Sequence, residues 1–141
     1  LSHHSNRILD IIRKIPHDGG SRCDLPEKMK LDCHKKCDGF KDVYGRMAWD
    51  KVAPTITSGC CNPSKGRFLH PIEDRPITMR EAAILQGFPE NYYFPVGNKT
   101  EVTLMIGNAL PPPFIEAHAL EVRKALMCEK ESAGNERKKS F

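Results

Sequence analysis

The chain has 141 residues, 39% of them hydrophobic and 28% charged, with a formal net charge of +4. That length supports one compact domain and is too short for two well-buried ones. The composition excludes collagenous and low-complexity classes, and no apolar run approaches membrane-spanning length. Six cysteines with no signal-peptide pattern ahead of them predict reduced thiols in a cytoplasmic protein rather than a disulfide framework. The mild positive balance favours polyanionic partners but decides little alone. The first residue is Leu1 rather than methionine, so a fragment is one expectation.

In chain order, Ile8, Leu9, Ile12 and Ile15 recur at helical spacing, with Ser5 as the expected N-cap and Pro16, Gly19 and Gly20 as the stop. Residues 16–42 are polar and irregular, with Asp-Gly pairs at 18–19 and 38–39 marking turns. A loop of that length inside a compact domain is usually functional or disordered. Val43-Tyr44, Thr55-Ile56-Thr57 and Phe68-Leu69 are β-prone runs separated by Gly and Pro, and predict short strands with exposed loops. Thr78-Met79-Arg80-Glu81 has the spacing of a capping box, predicting a helix that runs through Ala82, Ala83 and Leu85 as core residues and stops at Gly87-Phe88-Pro89. A short helix over about 100–105 precedes Gly107-Asn108. Pro111, Pro112 and Pro113 then open a last helix with an apolar stripe of Ile115, Ala119, Val122 and Leu126. The charged residues 129–141 are expected to fray.

The residue patterns argue against self-contained catalysis. No glycine-rich nucleotide turn, nucleophile elbow, zincin helix or P-loop spacing occurs. Cys33-x3-Cys37, with His34 and the more distant Cys23, has a spacing zinc can use. The adjacent Cys60-Cys61 makes a poor second pair, so free thiols are the simpler reading and no metal is expected. Arg46, Lys51, Lys65 and Arg67 lie among Gly, Ser, Thr and Asn in loops flanking the β-prone runs. Side chains there can reach base edges or phosphates. A solvated surface of ordinary charge density is the plainer alternative. Trp49 reads more readily as a packing anchor than as a base-stacking platform.

Three blocks together carry a resemblance. Residues 75–94, opening Arg75-Pro76-Ile77-Thr78-Met79-Arg80-Glu81-Ala82-Ala83 and continuing through Leu85-Gln86-Gly87-Phe88-Pro89, resemble the ninth conserved motif of DNA cytosine-5 methyltransferases. Gly107-Asn108-Ala109-Leu110-Pro111-Pro112-Pro113 is similar to the tenth. Tyr44-Gly45-Arg46-Met47-Ala48-Trp49, Ala53-Pro54-Thr55-Ile56-Thr57 and residues 62–71 resemble the end of that family's target-recognition domain. The blocks follow the family's order over roughly residues 43–126.

The family's Pro-Cys nucleophile, Glu-Asn-Val acid and Phe-x-Gly-x-Gly cofactor turn are missing. All belong N-terminal to the region matched, and Glu90-Asn91-Tyr92 copies two letters of the acid motif inside the ninth motif without being it. The resemblance therefore implies the C-terminal part of such an enzyme, without catalytic residues of its own and inactive alone. The expected fold is α+β: a loop-rich recognition lobe with short strands, plus helices completing a Rossmann-like methyltransferase domain. The implied division is 1–74 for the recognition region, 75–106 for the ninth-motif helix and connection, 107–128 for the tenth motif and last helix, and 129–141 for a charged tail. Asn108, Ala109 and Leu110 are expected to border S-adenosylmethionine. Arg46, Thr55, Thr57, Lys65 and Arg67 are expected on double-stranded DNA. The N-terminal catalytic half is the implied partner, in the same chain or as a separate subunit, in a bacterial restriction–modification setting near the nucleoid. A naturally split enzyme's small subunit and a stand-alone, non-enzymatic recognition module stay open as alternatives.

Overall fold

A computed structural model of the chain describes residues 4–35, 39–95 and 97–138. Cys37 and Asp38, and so the second ligand of the zinc-like spacing and half of the second Asp-Gly pair, lie outside the described residues, as do 139–141 of the tail. Two compact units are present, Leu1–Ala109 and Leu110–Phe141.

The first unit starts with α1 (Asn6–Lys14), capped at Ser5 without a side-chain hydrogen bond. It buries Ile11, Ile12 and Ile15. Ile8 is only partly buried, so the apolar stripe is rotated by one position from the Ile8-Leu9-Ile12-Ile15 face read from spacing. The irregular stretch that follows contains two single-turn 3₁₀ helices, Arg22–Asp24 and Glu27–Met29, and α2 (Asp32–Lys35). Arg22 is buried there and ties the stretch closed by donating to the carbonyls of Gly39 and Phe40.

The expected short strands do not form, and the described residues are mostly helical, with only isolated bridges in place of a sheet. Leu69 pairs once with Arg46 in parallel and once with Pro76 in antiparallel fashion. Two features keep these bridges from growing into a sheet. Tyr44 is held in the left-handed region (φ 57°), which breaks the extended run at Val43-Tyr44. The Leu69–Pro76 ladder is bonded through the His70 and Ile77 amides, and Pro76 has no N–H to offer a further strand on its outer edge. The α+β expectation is corrected accordingly: β-propensity in 43–69 is spent on single bridges and turns. Phe68 and Leu69 still alternate as strand residues do. Phe68 enters one core cluster with Ile56, Ile77, Ala82, Ala83, Val102 and Ile106, while Leu69 enters another with Ile11, Ile12, Ile15, Leu25 and Tyr44.

Helix α3 (Met79–Leu85) begins as the capping box predicts. Thr78 Oγ1 accepts from the Glu81 amide at 3.2 Å, and Glu81 Oε2 accepts from the Thr78 amide at 2.7 Å. It ends at Gly87, whose φ of 87° suits glycine. Ala82 and Ala83 are fully buried, but Leu85 is exposed, as is Ile84, so Leu85 is not core as expected. Packed against α3 is α4 (Lys99–Asn108), capped by the Asn98 side chain, which accepts from the Thr100 amide. It is longer than the helix read from the sequence because Gly107 and Asn108 continue its last turn instead of forming a turn beyond it.

The second unit is one long helix, α5 (Pro112–Lys138), opening on proline where first-turn amides need no partner. It continues through the charged residues expected to fray, up to Lys138. Ile115, Val122 and Leu126 of its stripe are exposed. Among the described residues, no helix is long and apolar enough to cross a membrane.

Candidate nucleic-acid interface

Arg46 is a structural cation. Its side chain is fully buried and donates to the carbonyls of Ile12, Ile15, His70 and Glu73 and to the Asp74 carboxylate. A planar guanidinium with five N–H donors can satisfy that many acceptors at once, and a lysine cannot. The expectation that Arg46 faces DNA is therefore corrected. It ties the end of α1 to the 70–74 turn, and no face of it is left for a phosphate or a base.

The other candidates are at the surface. Thr55 and Thr57 are exposed on either side of the buried Ile56. Lys65 is exposed at the end of a 3₁₀ turn, Pro63–Lys65, which Asn62 caps through its side chain. Arg67 is partly buried and oriented: Nε and Nη2 meet Asp42 at 3.1 and 2.9 Å, and Nη1 donates to the Gly19 carbonyl at 3.1 Å. An arginine fixed in this way keeps a defined position at lower entropic cost than a free one. Arg67 and Lys51 border an open hollow of about 500 Å³ whose remaining walls are Met47, Ala48, Val52, Ala53 and Pro54. The hollow joins cations to small apolar groups, the combination that contacts phosphates and thymine methyls. Trp49 is not the packing anchor expected. Its indole is 64% exposed and lies edge-on to His70, with ring centroids 5.9 Å apart.

The threonine run and the Gly-Asn pair meet. A Cβ placed on Gly107 would lie 2.1 Å from the Ser58 nitrogen and 2.3 Å from the Thr57 carbonyl carbon. Those neighbours are backbone and cannot rotate away. Only glycine lets the last turn of α4 rest on the 57–58 loop at this point. Sequence spacing could not show this, because the two segments are distant along the chain.

The cofactor expectation at Asn108 changes in kind. Asn108 is the exposed last residue of α4, not a residue ahead of a helix. Nearby backbone amides are engaged: the Ala109 amide bonds to Ile106 O, and those of Phe114 and Ile115 bond to Pro111 O. Pro111, Pro112 and Pro113 have none. The Ala109 carbonyl also accepts from the Gln86 side chain. The exposed Asn108 side-chain amide is one group this segment can offer a polar ligand. Leu110 is exposed and belongs to the second unit.

Cys60 and Cys61 are buried, and the Cys61 thiol is pushed well up by its hydrogen bond with Cys60 and by burial. The hydrogen bond with Cys61 pulls the Cys60 thiol down against the opposing effect of burial. Cys23, Cys33 and Cys128 are exposed thiols. Among the described residues, no three His, Cys, Asp or Glu side chains gather as a metal site.

The profile of the C-5 cytosine-specific DNA methylases matches residues 2–124. The chain belongs to the C-5 cytosine-specific DNA methylase family. It is 47% identical over 133 residues to the type II methylase M.HgiDII of Herpetosiphon aurantiacus, covering 88% of this chain and 37% of that protein. It is 44% identical over 89 residues to the type II methyltransferase M1.BsuMI of Bacillus subtilis, covering 62% of this chain and 21% of that one. Against DNA (cytosine-5)-methyltransferase 1B of rice it is 36% identical over 114 residues, covering 80% of this chain and 7% of the relative. The chain thus spans little more than a third of M.HgiDII and less of the others.

Proposed function

We propose that this chain is the C-terminal part of a DNA cytosine-5 methyltransferase, where it recognises the duplex and completes the Rossmann-like catalytic domain. The observation that carries the reading is the seat of Gly107 on the Thr57–Ser58 backbone. It holds a segment suited to DNA beside one suited to a polar cofactor, within a chain that has no Pro-Cys nucleophile.

In this division of work, Lys65, Arg67, Thr55 and Thr57 contact DNA. Lysines and threonines supply phosphate contacts, and the oriented Arg67 is the best placed to donate to a guanine edge. S-adenosylmethionine, when bound, supplies the methyl group. This chain adds the Asn108 amide as one hydrogen-bonding group toward it. The nucleophile and acid come from a polypeptide carrying the family's N-terminal motifs, as a separate subunit or as the rest of one chain.

Radiolabelled methyl transfer to duplex DNA tests this. The purified chain alone is expected to transfer nothing, and adding the N-terminal polypeptide is expected to restore transfer. Methylation by the chain alone that survives replacement of all its cysteines by serine would overturn the reading.

A further inference from the structure

Behind the threonine loop lies a second hollow, of about 350 Å³, to which three separated segments contribute. Ser58, Asn62 and Lys65 line it from the 58–65 turn, and Lys99 and Thr100 from the first turn of α4. No lining residue is acidic, whereas two carry a full positive charge. The groups also act on one another: His4, from the segment before α1, lines the hollow too, and its imidazole is pushed down by burial and by the Lys99 charge. His4 Nε2 is shielded from solvent and has no hydrogen-bond partner. Asn62 turns its Oδ1 toward Ser64, which leaves the amide N–H groups as its donors. The hollow therefore offers donors and positive charge to an acceptor-rich anion.

We infer that this hollow seats a phosphodiester group of the duplex, with Lys65 and Lys99 on either side of it and Ser58, Asn62 and Thr100 as hydrogen-bonding groups. The inference rests on the DNA-recognition reading and extends it from the Thr55–Thr57 loop to α4, an element that reading uses only for the cofactor. A single phosphate is small for the space, so the sugar next to it enters as well. Contacts of this kind position a protein on the duplex and carry no sequence information. The site therefore adds affinity equally on target and non-target DNA. A lysine pair here also accounts for a basic residue at 99 that belongs to neither conserved block.

The test is duplex binding by the full chain across a salt series, on a target-containing and a scrambled oligonucleotide. Lys99→Gln is expected to weaken binding to both alike, about three- to tenfold at low salt, and to reduce the slope of log K against log salt by about 0.9. Adding Lys65→Gln is expected to deepen both effects, and Lys99→Arg to retain binding. Lys14→Gln removes one charge from outside the hollow and serves as the control; circular dichroism confirms that each variant is folded. If Lys99→Gln matches Lys14→Gln while the parent chain binds DNA, the hollow does not touch the duplex and this proposal fails while DNA recognition stands. If the parent chain binds no duplex even at low salt, the recognition reading fails and the proposal with it. Amide resonances of Ser58 and Thr100 give the third arm. Shifts with duplex but not with inorganic phosphate support the seat, and equal shifts with inorganic phosphate overturn the duplex as its ligand.

Discussion

Two regions of the first unit are stabilised by opposite means. Around α3 and α4, side chains such as Ala82, Ala83, Val102 and Ile106 are buried together, and local signals start the helices: a capping box at Thr78 and an Asn98 cap. Full burial of a residue like Ile106 contributes roughly 1.5–3 kcal/mol without any polar partner. Around Arg46 the chain has little regular structure, and one buried cation gathers carbonyls from α1, the 70–71 turn and Glu73. Removing an apolar side chain from the first region leaves a cavity. Removing Arg46 from the second strands several polar groups at once. A loop-rich segment that cannot satisfy its backbone with ladders needs such a hub, and in this chain the hub has the residue type most easily mistaken for a DNA contact.

Arg46→Ala should give the largest effect, a destabilisation of about 3–5 kcal/mol in urea denaturation, because it leaves carbonyls and a carboxylate uncompensated. Asp74→Asn sharpens the comparison. The Asp74 side chain is 42% exposed, so its loss should cost no more than about 1 kcal/mol. Equal costs for the two variants would show that the ion pair, not carbonyl satisfaction, stabilises this region.

Next comes the contact between loop and helix. Gly107→Ala pushes a methyl group into the Thr57–Ser58 backbone and should cost about 1–3 kcal/mol by the same measurement. An unchanged midpoint would mean that α4 can shift away from the loop, and the seat would not join the two candidate sites.

The smallest effect is a pH dependence in the helical region. Hydrogen bonds from Arg75 hold the Glu81 carboxyl at about 2, below its ordinary 4.5. Because the folded value is depressed, the stabilisation is fully present above pH 4.5 and is lost as the pH falls from there toward 2. The side chain is about a third exposed, so screening leaves roughly 1 kcal/mol of the stabilisation. Glu81→Gln should flatten this part of the stability–pH curve. An unflattened curve would assign the acid sensitivity to other carboxylates.

What could be read from the amino-acid order was what depends on neighbours a few residues apart. The Thr78–Glu81 box spans one turn, and its geometry follows from the residue types alone. The family was legible for the same reason, since each block that carries the resemblance is a contiguous run, and the match over 2–124 bears out the family. The strands of 43–69 were misread because propensity does not register a left-handed Tyr44 or how few residues face one another across Leu69. Arg46 and Arg67 look equivalent in sequence, each a cation among glycines. Tertiary packing decided that one is enclosed by carbonyls and the other only anchored to Asp42 at the surface. The meeting of Gly107 with Thr57–Ser58, and of Lys99 with Lys65, depended on packing in the same way. Burial and charge proximity arise between segments distant along the chain, and no local pattern of residue types encodes them.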